Sequence, residues 1–203
     1  ALISPASSSF VFGNNDFTVE CWFNVKDTAA TPVIFEMAGT SQRHHLAINT
    51  TKGVYYHSAG STVDFKNSDN TNVNILTGEW YHVAISRTKT TGTVVYLNGL
   101  SAGYLDTRAA TYDGNVAVIG RVNNAYTNYF VGSMSNFRIV NGTALYSGKT
   151  IDIPTKNLEN IPNTVLLTLQ DSTLKDNSWP KTFTIEGGFV ISPNNLYKTT
   201  SVS

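Results

Sequence analysis

Trp80-Tyr81-His82-Val83-Ala84-Ile85-Ser86-Arg87-Thr88, followed a few residues on by Thr93-Val94-Val95-Tyr96-Leu97 and the pair Asn98-Gly99, decides the fold class of this chain. Both runs have strand length, and β-branched and aromatic residues fill them. Asn98-Gly99 is a turn pair that accepts positive φ, and Asp113-Gly114 reads the same way. On the first run His82 shares a face with Trp80 and Ala84, because successive side chains on a strand alternate sides.

Working outward, the same pattern recurs. Strands are expected over 17–25, 33–37, 45–49, 54–58, 62–65, 80–88 and 93–97, then over 117–122, 132–140, 165–170 and 183–186. Helical periodicity is nearly absent, and only Thr143 to Ser147 suggests a short helical turn. At least ten strands with so few helices predict an all-β fold, an antiparallel two-sheet β-sandwich of the jelly-roll kind. Residues 1–203 read as one domain, with 198–203 a tail and Thr150 to Asn163, which holds Pro154 and Pro162, a long loop crossing the sandwich.

Composition supports a rigid, weakly charged β protein. Charged residues are 14% of the chain, while 21 Asn, 26 Thr and 18 Ser supply the polarity. Fourteen Lys and Arg balance fourteen Asp and Glu, so no basic patch marks a nucleic-acid partner. No apolar run of membrane-spanning length is present, which argues against membrane insertion. The start at Ala1, without an initiator Met or a signal peptide, suggests a processed product or an excised piece. Cys21 stands in register with Phe17, Val19 and Phe23 and reads as a small buried hydrophobe, not a catalytic thiol.

Four blocks resemble the laminin-G-like domains of the concanavalin A-like lectin/glucanase superfamily. They are Phe17-Thr18-Val19-Glu20-Cys21-Trp22-Phe23, then Gly78-Glu79-Trp80-Tyr81-His82-Val83-Ala84-Ile85, then Gly92 to Gly99, then Ile119-Gly120 with Phe130 to Ile139 and Ala144-Leu145-Tyr146. The wording of Ser135 to Tyr146 is most similar to domains in structural proteins of tailed bacteriophages. The resemblance implies a virion or extracellular location and other virion or surface structural proteins as partners. Two departures stand out. The family's opening strand is missing, and Leu166-Leu167-Thr168-Leu169-Gln170, which resembles such an opening segment, comes late. Either a strand is supplied from upstream or the C-terminal strands fill that edge.

Hydrolases of this superfamily need carboxylates paired across a glycosidic bond, and its lyases carry Arg and Gln-x-His strands with a Tyr-rich catalytic strand, a set this sequence lacks. The five Glu residues are Glu20, Glu36, Glu79, Glu159 and Glu186, and none has an acidic residue two positions away. No enzyme is therefore expected. Four scattered histidines fall short of a zinc site, and His82 reads as a hydrogen-bonded structural residue. No cofactor is required. Ca²⁺, which the family often holds at a sandwich rim, has Asp64 with Asp69, Asp106 with Asp113, or Asp171 with Asp176 as candidate carboxylates. Glycan binding would use aromatic platforms with amide and guanidinium hydrogen bonders. Arg121, Asn123, Asn124, Tyr126, Asn128 and Tyr129 form one such stretch, in an expected exposed loop; Trp179 and Tyr55-Tyr56-His57 are further candidates. Trp22 and Trp80 read as core or concave-face packing residues, because both lie inside strand patterns. The functional expectation is a non-catalytic display and adhesion domain of a tail fibre, spike or capsid decoration, with host-surface glycans and a homo-oligomer as candidate partners. The alternative is a lectin-like carbohydrate-binding module of a secreted glycan-active enzyme.

Overall fold

The computed structural model describes residues 1–39, 44–123, 127–179 and 181–191. Its strands are β1 (Leu2–Ile3), β2 (Phe17–Asp27), β3 (Val33–Ala38), β4 (His44–Ile48), β5 (Val54–Ser58), β6 (Ser61–Asp64) and β7 (Tyr81–Thr88). They continue with β8 (Gly92–Leu97), β9 (Leu100–Leu105), β10 (Val116–Ile119), β11 (Val131–Asn141), β12 (Thr164–Thr168) and β13 (Thr184–Ile185). A seven-stranded sheet runs β13-β1-β10-β3-β4-β5-β6 and a six-stranded sheet runs β12-β11-β2-β7-β8-β9, with antiparallel pairing throughout. This is the expected all-β sandwich.

Alternation builds the core. Phe17, Val19, Cys21, Phe23 and Val25 of β2 are buried in it, with Val83 and Ile85 of β7 and Phe137 and Ile139 of β11. Facing them are Phe35 and Met37 of β3, Leu46 and Ile48 of β4, and Val54 and Tyr56 of β5. Cys21 is buried as expected, and burial pushes its thiol pKa well up. Along one side the sheets touch through β6 and β9. The Lys66 amide donates to the Ala102 carbonyl at 2.7 Å, and a Cβ on Gly103 would meet Val63 Cγ2 at 2.6 Å. That need for a close approach puts a glycine inside β9, and strand propensity does not register it.

Several expectations meet corrections. Residues 143–147 form no helical turn: the Leu145 amide donates to Thr18 Oγ1 and the Tyr146 amide to Ser86 Oγ, so these donors serve the sheet below. Asn98 and Gly99 do have positive φ, 46° and 82°, but Asp113 and Gly114 do not. Strands from the far end of the chain do fill sheet edges. β12 pairs with β11 as the outer strand of one sheet, and β13 pairs with β1 at the edge of the other. The segment from 150 to 163 does cross the sandwich, over the outer face of the six-stranded sheet.

Candidate functional site

The stretch expected to be an exposed recognition loop is only partly so. Arg121 is 4% exposed; its guanidinium pairs with Glu186 at 2.7 Å and donates to the Val122 carbonyl. It ties the end of β10 to the segment after β13 and is not offered to solvent. The Asn123 backbone donates to Glu36 Oε2, and Asn128, at φ 59°, donates through its side chain to the carbonyls of Ala30 and Thr31. Both are turn formers in this setting. Asn124 and Tyr126 lie outside the described residues. Trp179 is 73% exposed, on a turn held by Asp176, whose carboxylate accepts from the Leu167 and Ser178 amides and from Lys181.

Among the described members of that set, Tyr129 lines a cleft of about 1100 Å³ at the end of the sandwich where β11 begins. Its walls unite aromatic rings (Trp80, Tyr129, Phe130, Phe189) with amides and hydroxyls (Asn24, Ser133, Ser135, Gln170). Ser133 lies opposite Asn24 and Ser135 opposite Trp22 in the β2–β11 register, so these polar groups share the outer face of that sheet. Lys26 and Asp171 stand on the cleft as well, and Asp171 is held by Lys175 at 3.0 Å. Trp80, placed by sequence within the strand run, immediately precedes β7 and is half-buried on this cleft. Asn24, Ser133 and Gln170 come from distant parts of the chain. Alternation marks Asn24 as outward-facing, but only the pairing of β2 with β11 assembles the group.

Beneath the crossing segment lies a second concentration of chemistry. Arg138 Nη2 meets Glu20 Oε1 at 2.6 Å, His82 Nε2 lies 3.3 Å from Glu20 Oε2, and the Tyr146 hydroxyl donates to that same oxygen at 2.8 Å. Burial works to raise the Glu20 pKa, but the hydrogen bond from His82 and the charge of Arg138 outweigh it and hold the carboxyl below its ordinary range. Burial, with Glu20 beside it, pushes the Tyr146 hydroxyl up. Every Glu20 oxygen is thus engaged and shielded from solvent, an arrangement of a structural ion pair and not of an acid facing a substrate. His82 is the hydrogen-bonded structural residue expected of it. The other Glu residues are dispersed: Glu36 is buried on β3, Glu79 is exposed just before β7, Glu159 pairs with Lys156, and Glu186 with Arg121.

The candidate calcium carboxylates are spread among local turns. Asp106 binds Arg108 through both oxygens, Asp69 accepts from Thr71, Asp171 accepts from Thr173, and Asp176 is saturated as described. Asp113 packs against Gly39, and Asp64 ends β6. Among the described residues no three His, Cys, Asp or Glu side chains gather to hold a metal.

A family model described as the concanavalin A-like lectin/glucanases superfamily matches residues 3–146. A search of curated protein sequences finds no match. Among solved structures, a Bacteroides ovatus protein provisionally described as carbohydrate-binding superposes with a TM-score of 0.66 at 20% identity. It covers 95% of this chain, which spans 59% of that protein's length. The carbohydrate-binding module of a Ruminococcus gnavus sialidase, bound to α2,3 sialyllactose, gives a TM-score of 0.51 at 16% identity, covering 65% of this chain and 78% of its own. A heptameric pentraxin of Limulus polyphemus gives 0.50 at 17%, covering 71% and 77%. At such identities the likeness establishes the sandwich fold.

Proposed function

We propose that this chain, which belongs to the concanavalin A-like lectin/glucanase superfamily, is a non-catalytic binding domain that holds a glycan in the cleft beside β11. The observation that carries the reading is the cleft's lining: aromatic rings beside amides and hydroxyls suit sugar rings, which present apolar faces and hydroxyl edges. The absence of a paired, solvent-facing carboxylate set among the described residues supports binding over hydrolysis. The domain serves display and adhesion on a virion or cell surface, attached to other structural proteins, with host-surface glycans as ligands. Extracellular exposure follows from that role. Among the described residues no helix is long and apolar enough to cross a membrane.

A second reading, a carbohydrate-binding module within a longer secreted glycan-active enzyme, draws on the fold shared with the carbohydrate-binding module of the Ruminococcus gnavus sialidase. A glycan array is the test common to both. Specific binding should fall by about tenfold or more in Tyr129→Ala and in Trp80→Ala, the loss expected when a central aromatic contact is removed. Binding unchanged in both variants would remove the cleft from the reading. No glycan binding, together with stable self-association, would leave a purely structural role. Turnover of any polysaccharide would overturn the non-catalytic assignment.

A further inference from the structure

We infer that the cleft takes a saccharide bearing an anionic group, a carboxylate or a sulfate, which the ammonium of Lys26 recognises. The inference rests on the glycan reading above and names the class of ligand. The charged side chains on the cleft walls are Lys26 and Asp171. Asp171 is already answered: its carboxylate accepts from the Thr173 amide at 2.7 Å and pairs with Lys175 at 3.0 Å. Lys26 is exposed and has no ion-pair or hydrogen-bond partner among the described residues. The backbone explains why. Val131 lies opposite Asp27 and Gly132 opposite Val25, so Lys26 is the extra residue of a bulge in β2 and faces no residue of β11. The pairing of β2 with β7 ends at Phe23 and Tyr81, so no β7 residue stands beside it either. A bulge re-aims a side chain out of the ladder, and here it leaves Lys26 on the cleft.

The remaining polar groups sort by where their donors point. Asn24 donates to the Gly78 carbonyl, Ser135 to the Leu169 carbonyl, and Gln170 to Asn136 and the Leu158 carbonyl. These donors are directed at the protein. The walls offer a ligand the unpaired Lys26 ammonium, the exposed Ser133 and Ser172, and the rings of Trp80, Tyr129 and Phe189. A neutral sugar would meet the rings and hydroxyls and leave the ammonium without a counter-charge. A sugar with an anionic substituent engages all three, and a charge-assisted hydrogen bond is stronger than a neutral one. Because Lys26 is exposed, salt screens the contact.

Matched ligand pairs on one array test this: uronic-acid oligosaccharides against their methyl esters, and sulfated galactans against their desulfated forms. The first pair reads a carboxylate and the second a sulfate. In one of them the acidic member should bind about tenfold or more tightly than its neutral partner, the worth of a hydrogen bond to a charged group. Lys26→Met should remove that preference, and Lys26→Arg, which keeps the charge, should retain most of it. Lys89→Met, on the turn at the other end of β7, should leave it unchanged, which separates the site from general surface charge. Thermal unfolding of Lys26→Met should match that of the unaltered chain, since the exposed side chain has no partner to lose. Equal binding of acidic and neutral members, abolished by Tyr129→Ala, would overturn the inference and leave the glycan cleft standing. An acidic preference unmoved by Lys26→Met would overturn it as well. Binding to neither member of any pair, nor to any other glycan, would remove both.

Discussion

Asn136 sits at φ 53° in the bulge of β11, where the register steps from Ser135 opposite Trp22 to Arg138 opposite Glu20. Buried completely, its side chain donates to Ser135 Oγ and Asn157 Oδ1 and accepts from the Leu158 amide and Gln170. Asn tolerates the left-handed conformation, and its amide satisfies the bulge and the crossing segment together. Asn136→Ala should cost about 2–4 kcal/mol in urea unfolding, through orphaned buried partners and an unsuitable φ. His44 acts through pH. Burial, with His45 adding a little, holds its pKa down to about 3 from an ordinary 6.5, and its Nδ1 meets the Tyr56 hydroxyl at 2.8 Å. The unfolded chain takes up this proton below pH 6.5 while the folded chain does so only near pH 3. The contribution is therefore whole above 6.5 and lost as pH falls toward 3. His44→Gln should flatten the stability profile in the upper part of that window, before carboxylates such as Glu20 begin to protonate.

At the scale of elements, β12 is the strand whose position in the chain misleads. It lies beyond the residues that the family model matches, yet it completes the six-stranded sheet against β11. Leu166 is fully buried in the core, and Leu167 is buried opposite Arg138. Leu166→Ala should destabilise by about 2–5 kcal/mol, as buried leucine truncations do, and thermal unfolding will measure it. The strand's apolar run is plain in sequence, so its existence was legible. Its partner was not, because pairing across the chain leaves no local pattern. β9 was missed for another reason. Leu100-Ser101-Ala102-Gly103-Tyr104-Leu105 lacks β-branched residues, and its glycine answers to Val63 across the sandwich edge. β1 is two residues long and exists only because β10 and β13 flank it.

For the whole molecule, the C-terminal part closes the sandwich that the N-terminal part begins: β12 joins one sheet, β13 the other, and Glu186 clasps Arg121. A chain ended after Asn163 should lose its cooperative unfolding transition and aggregate, because β11 would expose an unpaired edge and buried apolar surface. Calorimetry and size-exclusion chromatography would register both; a soluble, cooperatively folding fragment would contradict this account. The cleft belongs to the same scale, since Gln170 and Phe189 form its walls beside Asn24 and Tyr129. Sequence by itself determined the sandwich, its strand periods, the buried Cys21 and the structural nature of His82, because alternation and turn chemistry act between near neighbours. It also marked Tyr129 as a candidate contact. Only the tertiary structure decided that Arg121 is buried against Glu186, that Trp80 faces a cleft, and that Glu20, His82, Arg138 and Tyr146 form one shielded cluster. Those outcomes depend on which strands become neighbours. Long-range strand pairing, more than any local propensity, chooses which side chains of one face meet.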